Sequence, residues 1–316
     1  MNTHENHQDI RIGTLVNGSP TSDNYIRQIL PHGFESFSIT FWETLGETQL
    51  GPLAEKVLPV VRDGGAVISS LGVFGNPLED DEKAAITRKA WESAIVHAKD
   101  FGCDIVAGFT GRLRGKPIHA SLPRFKEVFM PLTELAAEHG VRIAFENCDM
   151  GGTWQSGDWN IAHNPAAWEL MFETIPLPNI GLEWEPCHQL VSLIDPMPQL
   201  DEWMDRIFHV HGKDATIHWD RIRKYGIHSS VHEDIALPKV AQAVKPFAYH
   251  RSPGFGDSDW TAIISRLRQG GFRGCIDIEG WHDPVYRGDL EMTGQVYALN
   301  HLKACRGGPY VPNPGK

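Results

Sequence analysis

Short apolar runs rich in β-branched residues alternate along this chain with longer stretches whose apolar positions recur at helical spacing. The runs are DIRIGTLV (9–16), FESFSITF (34–41), AVISSLGVF (66–74), DIVAGFT (104–110), VRIAFEN (141–147), NIGLEWE (179–185), RIFHVHGK (206–213) and GCIDIEG (274–280). Runs this short and this continuous predict strands buried on both faces. Between them the pattern predicts helices over 22–31, 50–62, 80–101, 122–139, 165–174, 196–204, 259–270 and 288–304. Over 80–101 the stripe consists of Ala84, Ile86, Ala90, Ala94, Ile95 and Ala98. Gly102, Gly140 and Gly270–Gly271 fall at or just past helix ends, and Asn164 and Ser258 at helix starts.

Eight strand–helix pairs predict an α/β fold that closes on itself, a single (β/α)8 barrel. An open doubly wound sheet would carry a glycine-rich phosphate turn after its first strand, where this chain has LVNGSP. Such a barrel needs about 250 residues, so the 316 residues divide into a tail (1–8), the barrel (9–306) and a second tail (307–316). Two connections are long: 147–164 after the fifth strand and 214–256 after the seventh. Long loops in compact domains usually serve function, and both are expected to cover a site.

The formal charge of -11 argues against a nucleic-acid partner, which would need a concentrated basic face. The polar start MNTHENHQDI and the absence of any long apolar run argue against a signal peptide or a membrane partner. The five cysteines are scattered with no CxxC pair, and Cys148 and Cys187 read as small apolar fillers. A soluble, reduced, cytoplasmic protein is expected.

Four of the last strands end on metal-capable side chains: Glu146, Glu185, His211 and Glu279. Three carboxylates and one imidazole suit a hard divalent ion, Mn²⁺ first, with Mg²⁺, Co²⁺ and Zn²⁺ accepted by the same donors. Strand alternation puts Asp277 with Glu279, His209 with His211 and Lys213, and Glu183 with Glu185 on common faces. If those faces point inward, the upper barrel holds five carboxylates, two imidazoles and one ammonium. Unpaired, each buried charge would cost several kcal/mol. A cation would balance some of them, and Lys213 with Asp277 or Glu183 others. Glu183 competes with Glu185 for the sixth-strand ligand position. Glu146 and Glu279 are the expected acid/base pair. Trp42, Trp184 and Trp281 end strands and Trp154, Trp159 and Trp219 lie in long loops, where aromatic faces can line a ligand. Trp91, Trp168, Trp203 and Trp260 read as helix core.

LGVFGNPLED (71–80), AFENCDM (144–150), GLEWEPCHQL (181–190), FHVHGKDA (208–215), RSPGFGDSDW (251–260) and IDIEGW (276–281) together resemble the sugar phosphate isomerase/epimerase family of the xylose isomerase-like TIM barrel superfamily. The resemblance implies that Glu146, Glu185, His211 and Glu279 bind the metal, and that His188 and Arg251 bind substrate. Trp184 and Lys213 complete the expected substrate-binding set, with Lys213 and Asp214 also read as an ion pair orienting His211. Position 185 departs from the family's Asp. The implied reaction is divalent-metal-dependent sugar isomerisation or epimerisation by carboxylate proton transfer through an enediolate. An alternative is a lyase that eliminates the aglycone of a 3-keto-glycoside. An apurinic endonuclease-like hydrolase ranks below both, since Phe74 and Thr110 stand where its extra histidines would be. A catalytically silent binding subunit ranks low as well. The partner is a small-molecule sugar or glycoside; a homo-oligomer or partner subunit is compatible with the resemblance.

Overall fold

A computed structural model describes residues 9–228, 245, 247–308, 311, 313 and 314. The expected tail 1–8 and residues 229–244 and 246 of the loop after the seventh strand lie outside the described residues.

Eight parallel strands close into a barrel, each apolar run supplying one. They are β1 (Arg11–Asn17), β2 (Ser36–Trp42), β3 (Val67–Phe74), β4 (Ile105–Gly108), β5 (Arg142–Glu146), β6 (Ile180–Trp184), β7 (Ile207–Gly212) and β10 (Cys275–Ile278). Closure comes from β1 against β10, with Gly13 opposite Asp277. At Gly13 the register requires glycine, since a Cβ there would collide with Ser36 O, Ser36 Oγ and Asp277 Oδ1.

Helices cover the outside: α1 (Ser22–Ile29), α2 (Leu50–Asp63), α3 (Glu82–His97), α4 (Ile118–Glu138), α5 (Pro165–Thr174), α7 (Met197–Glu202), α9 (Trp260–Gln269) and α10 (Glu291–Cys305). Each lies within or close to a predicted helix; α4 begins about a turn earlier than expected and runs through Pro123. Asn164 caps α5 by accepting from Ala167 N. At α9 the cap is Asp259, not Ser258, because the Asp259 carboxylate reaches Ala262 N at 2.9 Å. Trp91, Trp168 and Trp260 are fully buried between helices and sheet, and Trp203 packs at its edge.

Two features were absent from the sequence pattern. A short helix, α6 (Pro186–Val191), follows β6 directly. After β7 the chain forms β8 (Asp214–Ile217), α8 (Trp219–Tyr225) and β9 (Ala248–Arg251), with β8 and β9 paired antiparallel beside the barrel mouth. Among the described residues no helix is long and apolar enough to cross a membrane. All five cysteines are free.

Candidate active site

Inward-facing residues of β5, β6, β7 and β10 converge at the C-terminal mouth, the end where barrels of this kind keep their chemistry. Donor atoms of Glu146, Glu185, His211 and Glu279 all lie within 4.8 Å of one another, and all four residues are buried. His211 Nδ1 lies 3.0 Å from Glu146 Oε1 and 3.5 Å from Glu279 Oε2. Its Nε2 faces the other way, 3.1 Å from Glu183 Oε1.

Below this level a second polar layer fills the barrel. His209 bridges Glu183 Oε1 and Asp277 Oδ2, each at 2.7 Å. Ser36 Oγ donates to Asp277 Oδ1 at 2.5 Å, and Ser69 Oγ donates to Asp277 Oδ2. Asp277 and Glu183 are therefore both bonded by His209, not paired with Lys213 as the sequence suggested. Lys213 instead reaches up to Glu279 Oε1 at 2.9 Å and His188 Nε2 at 3.2 Å. Nor does it pair with Asp214, whose carboxylate accepts from Ala215 N, Ser258 N and Trp260 Nε1 and so anchors the turn before α9.

The loop after β5 is built to hold its neighbours still. Asn147 Nδ2 donates to Glu185 O at 2.8 Å while Glu185 N donates back to Asn147 Oδ1 at 2.7 Å. Arg112, fully buried, donates to the backbone oxygens of Lys116, Thr153 and Trp154. Its role in shaping this loop has no motif in the sequence.

Crowded charges move the titrations apart. Burial pushes Glu146 up to about 7, helped by Glu279 and Glu185 and opposed by the His211 hydrogen bond. Burial also works against ionised Glu279, but the Lys213 charge and the bonds to His211 and His282 hold it well below the usual carboxylate range. For Glu183, burial is outweighed by His211 and His209, which bring it down to about 2. Lys213 stays charged because Glu185 and Glu279 overcome its desolvation. His250, by contrast, is driven well below 6.5 by burial and then by Lys213, His188 and His282.

Among the sequence-predicted residues, His188 sits on the pocket wall with Nε2 2.9 Å from Glu185 Oε1. Trp184 does not reach the pocket. Glu183 points inward, so the next residue must point outward, and the Trp184 indole donates to Gln199 Oε1 in the helix layer. Arg251 also misses the pocket wall, since β9 turns it toward Asp283 Oδ2 at 3.1 Å. Its strand neighbour His250 takes the place on the wall, edge-on to His188 at 4.9 Å. His282 was missed. It lines the pocket 2.9 Å from Glu279 Oε1, and the spacing Glu279-x-x-His282 repeats Glu185-x-x-His188.

The donor set fits a divalent cation. Both oxygens of Glu185 and Oε2 of Glu279 are buried without a hydrogen-bond partner, a costly state unless a cation meets them. Oxygen-rich donors with one imidazole match the preference of Mn²⁺ and its hard neighbours.

A family model described as the xylose isomerase-like TIM barrel matches residues 26–305. This chain belongs to that family. Inosose dehydratase of Lactiplantibacillus plantarum is 29% identical over 171 residues, which make up 54% of this chain and 50% of that protein. The match thus spans half the length of this relative. Among solved structures, D-psicose 3-epimerase in the presence of D-fructose superposes with a TM-score of 0.66 at 15% identity, covering 95% of this chain and 100% of that one. A 3-keto-D-glucoside 4-epimerase from E. coli gives 0.64 at 15% identity, covering 94% and 100%. A xylose isomerase domain protein from Planctomyces limnophilus gives 0.67 at 16%, covering 94% and 97%. At these identities the likeness to the solved structures is one of fold.

Proposed function

We propose that this protein is a divalent-metal-dependent sugar isomerase or epimerase that moves a proton between carboxylates and a carbon next to a carbonyl. The observation that carries the reading is the buried set Glu146, Glu185, His211 and Glu279, in which both Glu185 oxygens and Glu279 Oε2 accept no hydrogen bond. Those four would hold the ion, Mn²⁺ first. When bound, it would polarise the substrate carbonyl and balance the negative charge that builds as the adjacent C–H is broken.

The protein's own groups divide the remaining work. Lys213 and His282 both hold Glu279 Oε1, which fixes the carboxylate and keeps it ionised to accept the proton. Glu146, the carboxylate that faces Glu279 in the cluster, is the partner that returns one. Return to the opposite face of the same carbon gives an epimer; return to the neighbouring carbon interconverts aldose and ketose. His188 and His250 line the space beside them as hydrogen-bonding groups for sugar hydroxyls.

Elimination is the second reading, because the same proton abstraction expels a leaving group β to the carbonyl. The sequence likeness to inosose dehydratase favours it. Metal analysis of the purified protein, followed by incubation in D2O with a panel of ketoses and 3-keto-glycosides, tests both. A bound divalent ion and deuterium at carbon without loss of a group support isomerase or epimerase chemistry. Deuterium with loss of water or aglycone supports elimination. A protein that holds no such ion and exchanges nothing overturns both.

A further inference from the structure

The pocket above the carboxylates changes character with depth. Glu146, His211, Lys213 and Glu279 form a polar floor, whereas Trp42, Phe74, Phe109 and Trp281 make the upper wall aromatic. The rings form a ladder. Trp42, 55% exposed at the rim, meets Phe109 edge-on at 6.2 Å; Phe109 meets Phe74 edge-on at 5.2 Å. Phe74 in turn lies 6.3 Å from the His211 ring. Trp159, from the loop after β5, backs Trp42 at 5.6 Å. Residues on the two loops that meet here hold left-handed backbone conformations, Glu43 (φ 59°) next to Trp42 and Met150 (φ 47°) on the pocket wall. L side chains seldom adopt that conformation, and it tends to persist where surrounding structure enforces a functional shape.

Charge points the same way. Among the described lining residues Lys213 is the one lysine or arginine, and Glu279 already binds it. Arg251 is committed to Asp283, and Lys245, behind the wall, is committed to Asp149 at 3.1 Å. Among the described lining residues a phosphate monoester would find no lysine or arginine without a carboxylate partner. The cavity of about 440 Å³ lies in the roughly 300–1,000 Å³ range that encloses drug-sized ligands.

We propose that the natural substrate is a keto-sugar carrying a flat aromatic substituent, an aryl glycoside with a carbonyl on its sugar ring, whose aromatic group occupies the Trp42–Phe109–Trp281 mouth while the sugar lies on the polar floor. The inference rests on the sugar-enzyme reading above and names the substrate class for that site. Aromatic rings bind one another best offset or edge-to-face, which these walls provide and an alkyl chain does not exploit.

Calorimetric titration of the Mn²⁺-loaded protein with phenyl, octyl and methyl β-D-glucopyranoside and with glucose 6-phosphate tests it. Phenyl glucoside is expected to bind at least about tenfold tighter than each of the others. Trp42→Ala and Phe109→Ala should each weaken phenyl glucoside binding about tenfold and leave methyl glucoside binding unchanged. Light scattering should show the same mass for Trp42→Ala and wild type. Tighter binding of glucose 6-phosphate, equal binding of the octyl compound, equal loss for methyl and phenyl compounds, no measurable binding of any probe, or a Trp42→Ala change in mass without a change in affinity would each overturn the proposal. Binding is read without turnover, so failure of deuterium exchange would sink the reaction while leaving the phenyl preference measurable.

Discussion

Glu183 faces His211 across 3.1 Å, Oε1 to Nε2, on the side of the imidazole turned away from Glu146. A proton on Nε2, the nitrogen that faces Glu183, would leave the Nδ1 lone pair for a cation held by the carboxylate cluster. Glu183 is itself held by His209, so it fits an orienting role below the site, while Glu185 is the proposed ligand. Such outer partners typically change metal affinity 10- to 100-fold. Glu183→Gln is therefore expected to weaken Mn²⁺ binding by about that factor in calorimetric titration. An unchanged isotherm would show that His211 needs no such partner.

Glu185→Ala should act more strongly. Both Glu185 oxygens lack hydrogen-bond partners, and its backbone is pinned by Asn147. Removing this side chain deletes a ligand from a set of four and should cost Mn²⁺ affinity more than Glu183→Gln does. The reverse order in the same titration would exchange the two roles.

Cation binding should stabilise the fold, because it answers charges that otherwise repel in a buried space. An ion at 100 times its dissociation constant adds about 2.7 kcal/mol, which moves Tm upward by several degrees in a domain of this size. Scanning calorimetry with Mn²⁺, and then with chelator in excess, should show the rise and its reversal. A Tm indifferent to both would place the ion elsewhere or nowhere.

At the opposite end of the barrel, Arg306 donates to Glu35 through Nη1 at 2.6 Å and Nη2 at 3.0 Å, both residues being buried. The pair ties the end of α10 to the start of β2, and Arg306 also bonds Ile10 O. Burial raises the Glu35 pKa, but the Arg306 hydrogen bonds and charge outweigh it, leaving the folded value below 4.5. A depressed folded value means full stabilisation above the unfolded pKa and loss as pH falls through the folded one. Urea midpoints of the wild type should fall below about pH 4.5, and Glu35→Gln should flatten that limb. Breaking a buried pair on one side costs about 3–5 kcal/mol; a smaller loss at neutral pH would mean that solvent screens the pair.

Apolar runs announced the barrel strands because both faces of a parallel strand are buried, and the two-residue period announced which carboxylates would share its interior. Trp184 was misjudged by its position at a strand end although the same period, counted from Glu183, turns it outward. Arg251 was misjudged because β8 and β9 are short and partly polar, so their antiparallel pairing left no apolar pattern to read. His282 could have been found from its i,i+3 relation to Glu279. The pairing of Lys213 could not, since His209 satisfies Asp277 and Glu183 through contacts across the barrel that span 68 and 26 residues.

The central claim is that Glu279 takes a proton from a sugar carbon within this cluster. Deuterium incorporation from D2O into a keto-sugar substrate, compared between wild type and Glu279→Gln at equal Mn²⁺ occupancy, measures it directly. The account predicts exchange by the wild type and a fall of at least about a hundredfold in the variant; exchange undiminished in Glu279→Gln would contradict it.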